Sequence, residues 1–464
     1  MVFSSILFLL YFLPPVLAGA WLLSNGKRTR VANLWLLAAS LLFYAWGAPR
    51  FLPVLLLASA VNHHLVLRLH SASGTRRVRL RQWAVCVNVA LLVTYKYLGF
   101  FSASIFSLLG LGAGPDLGIA LPIGISFFTF QAISYVMDVD RRTAEPVDGF
   151  GMYLVYILSF PQMIAGPIVR FSTVQQELRH RNTTVADWQH GIFRFGVGLA
   201  KKVLIANPLA AVFPLESSAL NGSMLDWGSG AAAIALLAYT FQIYFDFSGY
   251  SDMAIGLGRM LGFRFPENFR HPYRSGSITE FWRRWHITLG EWMRDHLYIP
   301  LGGNRMGNVR THVNLVLVFA ISGLWHGASW NFLIWGLYHG TFLLLDRWFL
   351  KAWLNRIPRS LQISLTFAVA ALGWTVFALP EFHHAGAFLS RLFGGQGMGE
   401  VTLDAQSTSL LLLATFLVFV PVRDRLEKAI VQPPQRAAIG FLLLATSIVE
   451  LSASGFNPFI YFRF

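Results

Sequence analysis

Runs of about twenty apolar residues, the length that crosses a bilayer as a helix, recur along the chain with short polar connections between them. They lie near 4–22, 32–49, 51–69, 83–101, 119–137, 191–214, 229–247, 312–327, 329–346, 360–379, 406–422 and 437–454. A bilayer offers backbone groups no water, so such runs predict an all-α polytopic membrane protein. The stretch FGMYLVYILSFPQMIAGPIV (150–169) is equally apolar but contains Pro161 and Pro167 and has basic tracts on both sides. A re-entrant segment buried by its neighbours is the form expected there. The opening MVFSSILFLL has no basic segment before it, which predicts an uncleaved first span and not a signal peptide. With no soluble domain, low-complexity segment or internal repeat in view, residues 1–464 read as a single integral-membrane domain.

Composition agrees with this pattern. The 464 residues are 55% hydrophobic and 13% charged, about half the charged fraction of soluble domains, and the mean hydropathy is +0.53. Fifteen Trp and 40 Phe suit rings that face lipid and the membrane interface. The single cysteine, Cys86, sits in an apolar stretch, which excludes intrachain disulfides and cysteine-rich metal sites and predicts an inert core thiol.

The net charge of +15 would suit a nucleic-acid partner were it not for its distribution. Lys and Arg cluster in NGKRTR (25–30), RRVRLRQ (76–82), DRRT (140–143) and RDRLEK (423–428), whereas alternate connections such as 101–118 and 216–230 are nearly free of them. That alternation is the positive-inside pattern. The charge therefore reports topology and lipid contact, with no nucleic acid implied. It predicts cytoplasmic loops at 70–82, 259–311 and 423–436, a periplasmic 380–405, and both termini outside.

The longest polar stretch, 259–311, includes SITEFWRRWHITLGEWMRDHLYIPLGGNR (277–305). Ser277 and Glu280 fit a capping box. A helix starting there would carry Phe281, Trp285, Leu289 and Trp292 on one stripe, with Trp282, His286, Leu289 and Met293 on the next. Arg283, Arg284 and Arg294 fall mostly elsewhere, and the glycine-rich PLGGNRMGN adds Arg305. An amphipathic helix at the cytoplasmic interface, its arginines on lipid phosphates, accounts for the pattern. So does a site in which some of those guanidinium forks hold the phosphates of an anionic donor.

Candidate chemistry lies on either side of this stretch. Asp246 and Asp252, in IYFDFSGYSDMAIGLGRM, are intramembrane carboxylates and hence functional candidates, unless they pair at the boundary with arginines such as Arg259. Lys201 and Lys202 read as snorkelling side chains. His326 and His339, in ISGLWHGASWNFLIWGLYHG, lie within apolar sequence where imidazole is costly to keep. On one straight helix they would point to different faces, but GASWN permits a tight break and two segments folded together. The glycine after each histidine permits close approach of substrate or backbone. No HExxH, cysteine/histidine ligand spacing or GxSxG occurs. Two classes fit these residues: a group-transfer enzyme with His326 as base, and a proton-coupled transporter with a His/Asp relay.

Three long segments carry a family resemblance: YFDFSGYSDMAIGLGRMLGFRFPENF (244–269), SITEFWRRWHITLGEWMRDHLYIPLGGNR (277–305) and GLWHGASWNFLIWGLYHG (323–340). With MVFSS, LPIGISFFTFQAISYVMDV (121–139), FPQMIAGPIVRF (160–171) and the closing PFIYFRF (458–464), they closely resemble the membrane-bound O-acyltransferases that acetylate bacterial cell-surface polymers such as alginate and cellulose. The teichoic-acid D-alanyl transferases of the same superfamily look less similar. The resemblance implies a ring of about 11–12 tilted helices, with re-entrant and interfacial helices, around a central funnel. It implies His326 as the essential histidine of the WHG motif, His339 as the second family histidine, and His286 as a further motif histidine. It also implies acetyl-CoA as donor with no permanently bound cofactor, which makes Arg283, Arg284, Arg294 and Arg305, with His286, the candidates to hold it, the arginines on the CoA phosphates. Transfer across a bacterial inner membrane to an exported polysaccharide, completed by a periplasmic SGNH-type partner, follows from the same resemblance.

Overall fold

Among the described residues every regular element is helical, and the only β-pairing is an isolated bridge between Phe269 and Trp285. The structure is a computed structural model that describes residues 2–23, 29–112, 114–212, 214–394, 397, 403–430, 432–454 and 460. Most of the basic tract at 25–30 and of the closing PFIYFRF motif lies outside those residues. Among the described residues six helices are long and apolar enough to cross a membrane: Pro49–His70, Gly74–Leu108, Val185–Leu220, Ser229–Met260, Arg359–Ala378 and Pro433–Ala453. Two shorter apolar helices are Leu7–Leu23 and Ala405–Phe419. Large apolar side chains stand exposed on many of these, including Leu22, Leu57, Trp83, Leu108, Leu412 and Leu442. Such surface is costly in water and ordinary in lipid. The protein is an all-α, multi-pass membrane protein.

The chain forms two compact units. Unit 1 comprises 1–196, 251–266 and 433–442. In it the helices Pro49–His70, Gly74–Leu108 and Ile125–Asp140 pack on one another, and Thr29–Gly47 packs on Phe150–Leu158. Three expectations change here. The tract RRVRLRQ is not a loop, because the connection is only 71–73 and helix resumes at Gly74. Arginine is a good helix former, and the i, i+4 pair Arg77 and Arg81 both reach the carboxylate of Asp140, at 3.1 and 3.0 Å. Cys86 lies exposed on that helix and not in a core. The segment expected at 119–137 becomes helical only at Ile125, after Pro122 and the left-handed Gly124.

The stretch 150–169 is interrupted where its prolines predict. Helix Phe150–Leu158 stops at Ser159, a short turn Phe160–Met163 follows, and a non-helical stretch that bends at 164–166 leads to helix Phe171–Arg179. Freed backbone groups find buried partners. Ser40 Oγ accepts from Phe160 N at 3.1 Å, and the Tyr156 hydroxyl lies within hydrogen-bond reach of the Gln131 and Val169 carbonyls.

Unit 2 comprises 197–250, 267–432 and 443–464. Its core is aromatic, built from Phe241, Tyr244, Phe281, Trp285, Trp335, Trp374 and Phe377 among others. The stretch 277–298 supplies part of that core and is not one interfacial amphipathic helix. It forms Ile278–Trp282, then a break, then Ile287–Met293. The capping box is present, with Ser277 Oγ accepting from Glu280 N at 3.2 Å, although the Glu280 carboxylate reaches back to Gly276 N rather than to Ser277 N.

Candidate active site

Helices α1 (Gly307–His326) and α2 (Trp330–Leu345) form a tight antiparallel pair joined by 327–329, the break that GASWN permits. Their approach depends on absent side chains. A Cβ on Gly323 would collide with the Phe332 carbonyl, and one on Gly336 with the Phe319 carbonyl. This seam fixes His326 at the last residue of α1, buried, with ring neighbours Trp325, Trp335 and Phe377 at 5.0, 5.1 and 5.4 Å between centroids. Phe377 comes from helix α3 (Arg359–Ala378), which packs on α2.

His339 lies on α2, one turn beyond Trp335, and is fully buried. Trp335 stands between the two histidines, 5.1 Å from His326 and 5.0 Å from His339. Trp282 and Tyr338 pack on His339 at 5.0 Å each, and neither of its ring nitrogens has a hydrogen-bond partner among the described residues. An unpartnered imidazole in such a wall is costly, so its place is not explained by a structural hydrogen bond.

His286 joins the same site from the loop. Its centroid is 6.5 Å from that of His326, and Phe247 packs edge-on at 4.7 Å. The break in the expected helix occurs at this residue, which has φ of 45°. Asn268 is the cause. Its Oδ1 lies 3.0 Å from His286 Nδ1, 2.9 Å from the Thr288 hydroxyl and 3.4 Å from Thr288 N. Backbone bonds from Arg270 N to Arg284 O and from Ile287 N to Asn268 O complete the bridge. An amide oxygen only accepts, so His286 carries its proton on Nδ1 and presents Nε2 as the basic nitrogen. Burial pushes its pKa from 6.5 to about 3, which keeps the ring neutral. No local pattern marked Asn268, Thr288, Trp335 or Phe377, because each acts through residues remote in the chain or through packing.

The predicted arginines divide into two pairs. Arg284 is held by Glu280 at 2.6 Å, and Arg294 by Asp295 through Nε at 2.6 Å and Nη2 at 3.0 Å. Arg283 and Arg305 are exposed and form no ion pair among the described residues. Arg305 ends a turn whose Gly302 and Gly303 both have positive φ, a conformation glycine adopts without strain.

The carboxylates are taken up by basic side chains. Asp246 is buried against Lys202 Nζ at 2.7 Å and accepts from Ile460 N at 2.8 Å. In unit 1, Asp252 binds Arg194 at 2.7 Å, while Arg259 binds Asp187 at 3.2 Å and not Asp252. Lys202 is therefore a buried partner rather than a snorkelling side chain.

The profile of the MBOAT, membrane-bound O-acyltransferase family, matches residues 149–365, which contain all three histidines and all four arginines. Over 512 aligned positions the chain is 38% identical to the probable alginate O-acetylase AlgI of Azotobacter vinelandii, covering all of both chains. The chain belongs to the MBOAT family. This O-acyltransferase is also 35% identical to the peptidoglycan O-acetyltransferase of Helicobacter pylori, covering 89% of the chain and 83% of that protein. Its similarity to the teichoic acid D-alanyltransferase of Bacillus subtilis is lower, 28% over 56% of the chain and 70% of that protein. Membership decides between the two classes left open by the residues, in favour of group transfer.

Proposed function

We propose that this O-acyltransferase takes acetyl groups from acetyl-CoA on the cytoplasmic side of a bacterial inner membrane for O-acetylation of an exported polysaccharide, alginate or cellulose. The similarity along the whole chain to alginate O-acetylases supports this reading. The observation that carries the mechanism is His326, buried at a helix end inside an aromatic wall with a second, neutral histidine beside it. His326 acts as general base. It accepts the acceptor hydroxyl proton as that oxygen attacks the thioester carbonyl. The tetrahedral intermediate then collapses, the C–S bond breaks, and the imidazolium returns the proton to the departing thiolate. Trp325, Trp335 and Phe377 exclude water, which would otherwise compete as acceptor. Of the four arginines, Arg283 and Arg305 are the ones free to meet CoA phosphates, since Arg284 and Arg294 already hold carboxylates. A periplasmic SGNH-type partner completes delivery to the polymer.

The test is the O-acetyl content of the exported polymer, measured beside membrane abundance. Loss of a general base costs about 100- to 10,000-fold in rate, so His326→Ala is expected to abolish acetylation at normal abundance. His339→Ala is expected to retain part of the activity, its losses following abundance. Full acetylation by a well-inserted His326→Ala protein overturns the mechanism. Acetylation found on peptidoglycan instead of exopolysaccharide reassigns the acceptor. Arg283→Ala and Arg305→Ala are expected to weaken acetyl-CoA binding, and unchanged affinity in both removes them from the donor site.

A further inference from the structure

In unit 1 the loop 141–149 and the helix Phe171–Arg179 flank an open cleft of about 270 Å³. Arg142, Thr143, Glu145, Gln175, Gln176 and Arg179 line it. Its walls are held from several directions. The Asp138 carbonyl accepts from Thr143 N and from its hydroxyl, each at 3.0 Å, and Asp138 Oδ2 accepts from Ser172 N at 2.8 Å. Arg179 Nη2 donates to Pro146 O at 3.0 Å. Beneath the loop, the buried Tyr135 hydroxyl accepts from Val147 N at 3.3 Å and lies 3.2 Å from His63 Nδ1. A non-glycine residue held at positive φ costs energy, and Arg142 has φ of 57° at the rim.

The cationic groups of this cleft are not used up by the protein. Arg142 is exposed and makes no ion pair among the described residues. Arg179 makes no ion pair among them either, its Nη2 donating to a neutral carbonyl. The one carboxylate, Glu145, has only an exposed contact with His70 at 3.4 Å. Two guanidinium groups facing one carboxylate suit a ligand with an anionic and a cationic end. The volume lies near the ~300 Å³ at which small-ligand pockets begin, which leaves room for a lipid headgroup. The position agrees, because the cleft follows directly on helix Ile125–Asp140, at the end where Asp140 gathers Arg77 and Arg81. Basic rims of this kind lie at headgroup depth.

We propose that this cleft binds the zwitterionic phosphoethanolamine headgroup of a membrane lipid. The phosphoryl oxygens sit on Arg142 and Arg179, and the ammonium donates to Glu145 and to the amide oxygen of Gln175 or Gln176. The test is native mass spectrometry of the purified full-length protein with phosphatidylethanolamine, phosphatidylcholine, phosphatidylglycerol or soluble O-phosphoethanolamine. Phosphatidylethanolamine is expected to be retained over the other two lipids, because choline has no N–H to donate and glycerol no cation. Arg142→Gly removes the guanidinium at a φ that glycine accepts freely, so the turn survives, and it is expected to lower retention about tenfold or more. Glu145→Leu, which removes both the charge and the acceptor oxygen, is expected to reduce the preference over phosphatidylcholine. Binding of soluble phosphoethanolamine alone, lost in both variants, supports the same chemistry with a soluble source. Equal retention of all three lipids, or retention unchanged in both variants, overturns the proposal.

Discussion

His286 is neutral at a site where its unfolded counterpart would titrate. Its folded pKa is about 3 against an ordinary 6.5 because burial excludes water from the imidazolium. As pH falls below about 6.5 the unfolded chain takes the proton first, so its contribution declines between there and about 3 and is undiminished above. The thermal stability of the detergent-solubilised protein is therefore expected to fall from about pH 7 to about pH 5. His286→Gln, which keeps a donor for Asn268 without a titrating ring, is expected to flatten that slope. An identical slope in the variant would exclude His286 as the source. The same residue shows what a local pattern misses. HITLGEW has no helix breaker before its glycine, yet the chain breaks at the histidine because three donors converge on the Asn268 amide oxygen, 18 residues upstream of His286.

At the scale of elements, the seam between α1 and α2 sets where His326 points. Gly323 and Gly336 are the closest approaches, each facing a backbone carbonyl that cannot move aside as a side chain can. Gly340 is looser, with its nearest contacts to an added Cβ at 3.3 Å. Gly336→Ala is expected to cost about 1–3 kcal/mol by overpacking and to reduce acetylation with it. Gly340→Ala is expected to cost less, and thermal stability with membrane abundance ranks the two. Equal tolerance of both substitutions contradicts a seam set by backbone contact. The hairpin itself was legible in GASWN, whereas the placement of Trp335 between the histidines was not, since it depends on the relative rotation of two packed helices.

Over the whole molecule, the basic tracts predict which connections face the cytoplasm. Reporter fusions at Gln82 and Gly397 are expected to report opposite sides of the membrane, and a shared side overturns the topology. The structure adds that two tracts gather at one place, with Arg77 and Arg81 both on Asp140, the first residue of DRRT. The tract at 76–82 is the first turns of a 35-residue helix, so its charge lies along a helix axis and not in a loop.

The membrane class, most of the apolar segments and the interruptions at Pro161 and GASWN were determined by sequence alone. Hydropathy over twenty residues and the breaking of helices are local properties, and a bilayer leaves an apolar segment few alternatives to a helix. Tertiary structure decided which charges meet: Asp246 with Lys202, Asp252 with Arg194, and Asp187 with Arg259. It also separated the arginines already occupied by carboxylates from Arg283 and Arg305, and it carried His286 to within 6.5 Å of His326. These outcomes follow from burial. A charge or an imidazole removed from water must find its partner in space, and the partner that packing supplies lies tens of residues away.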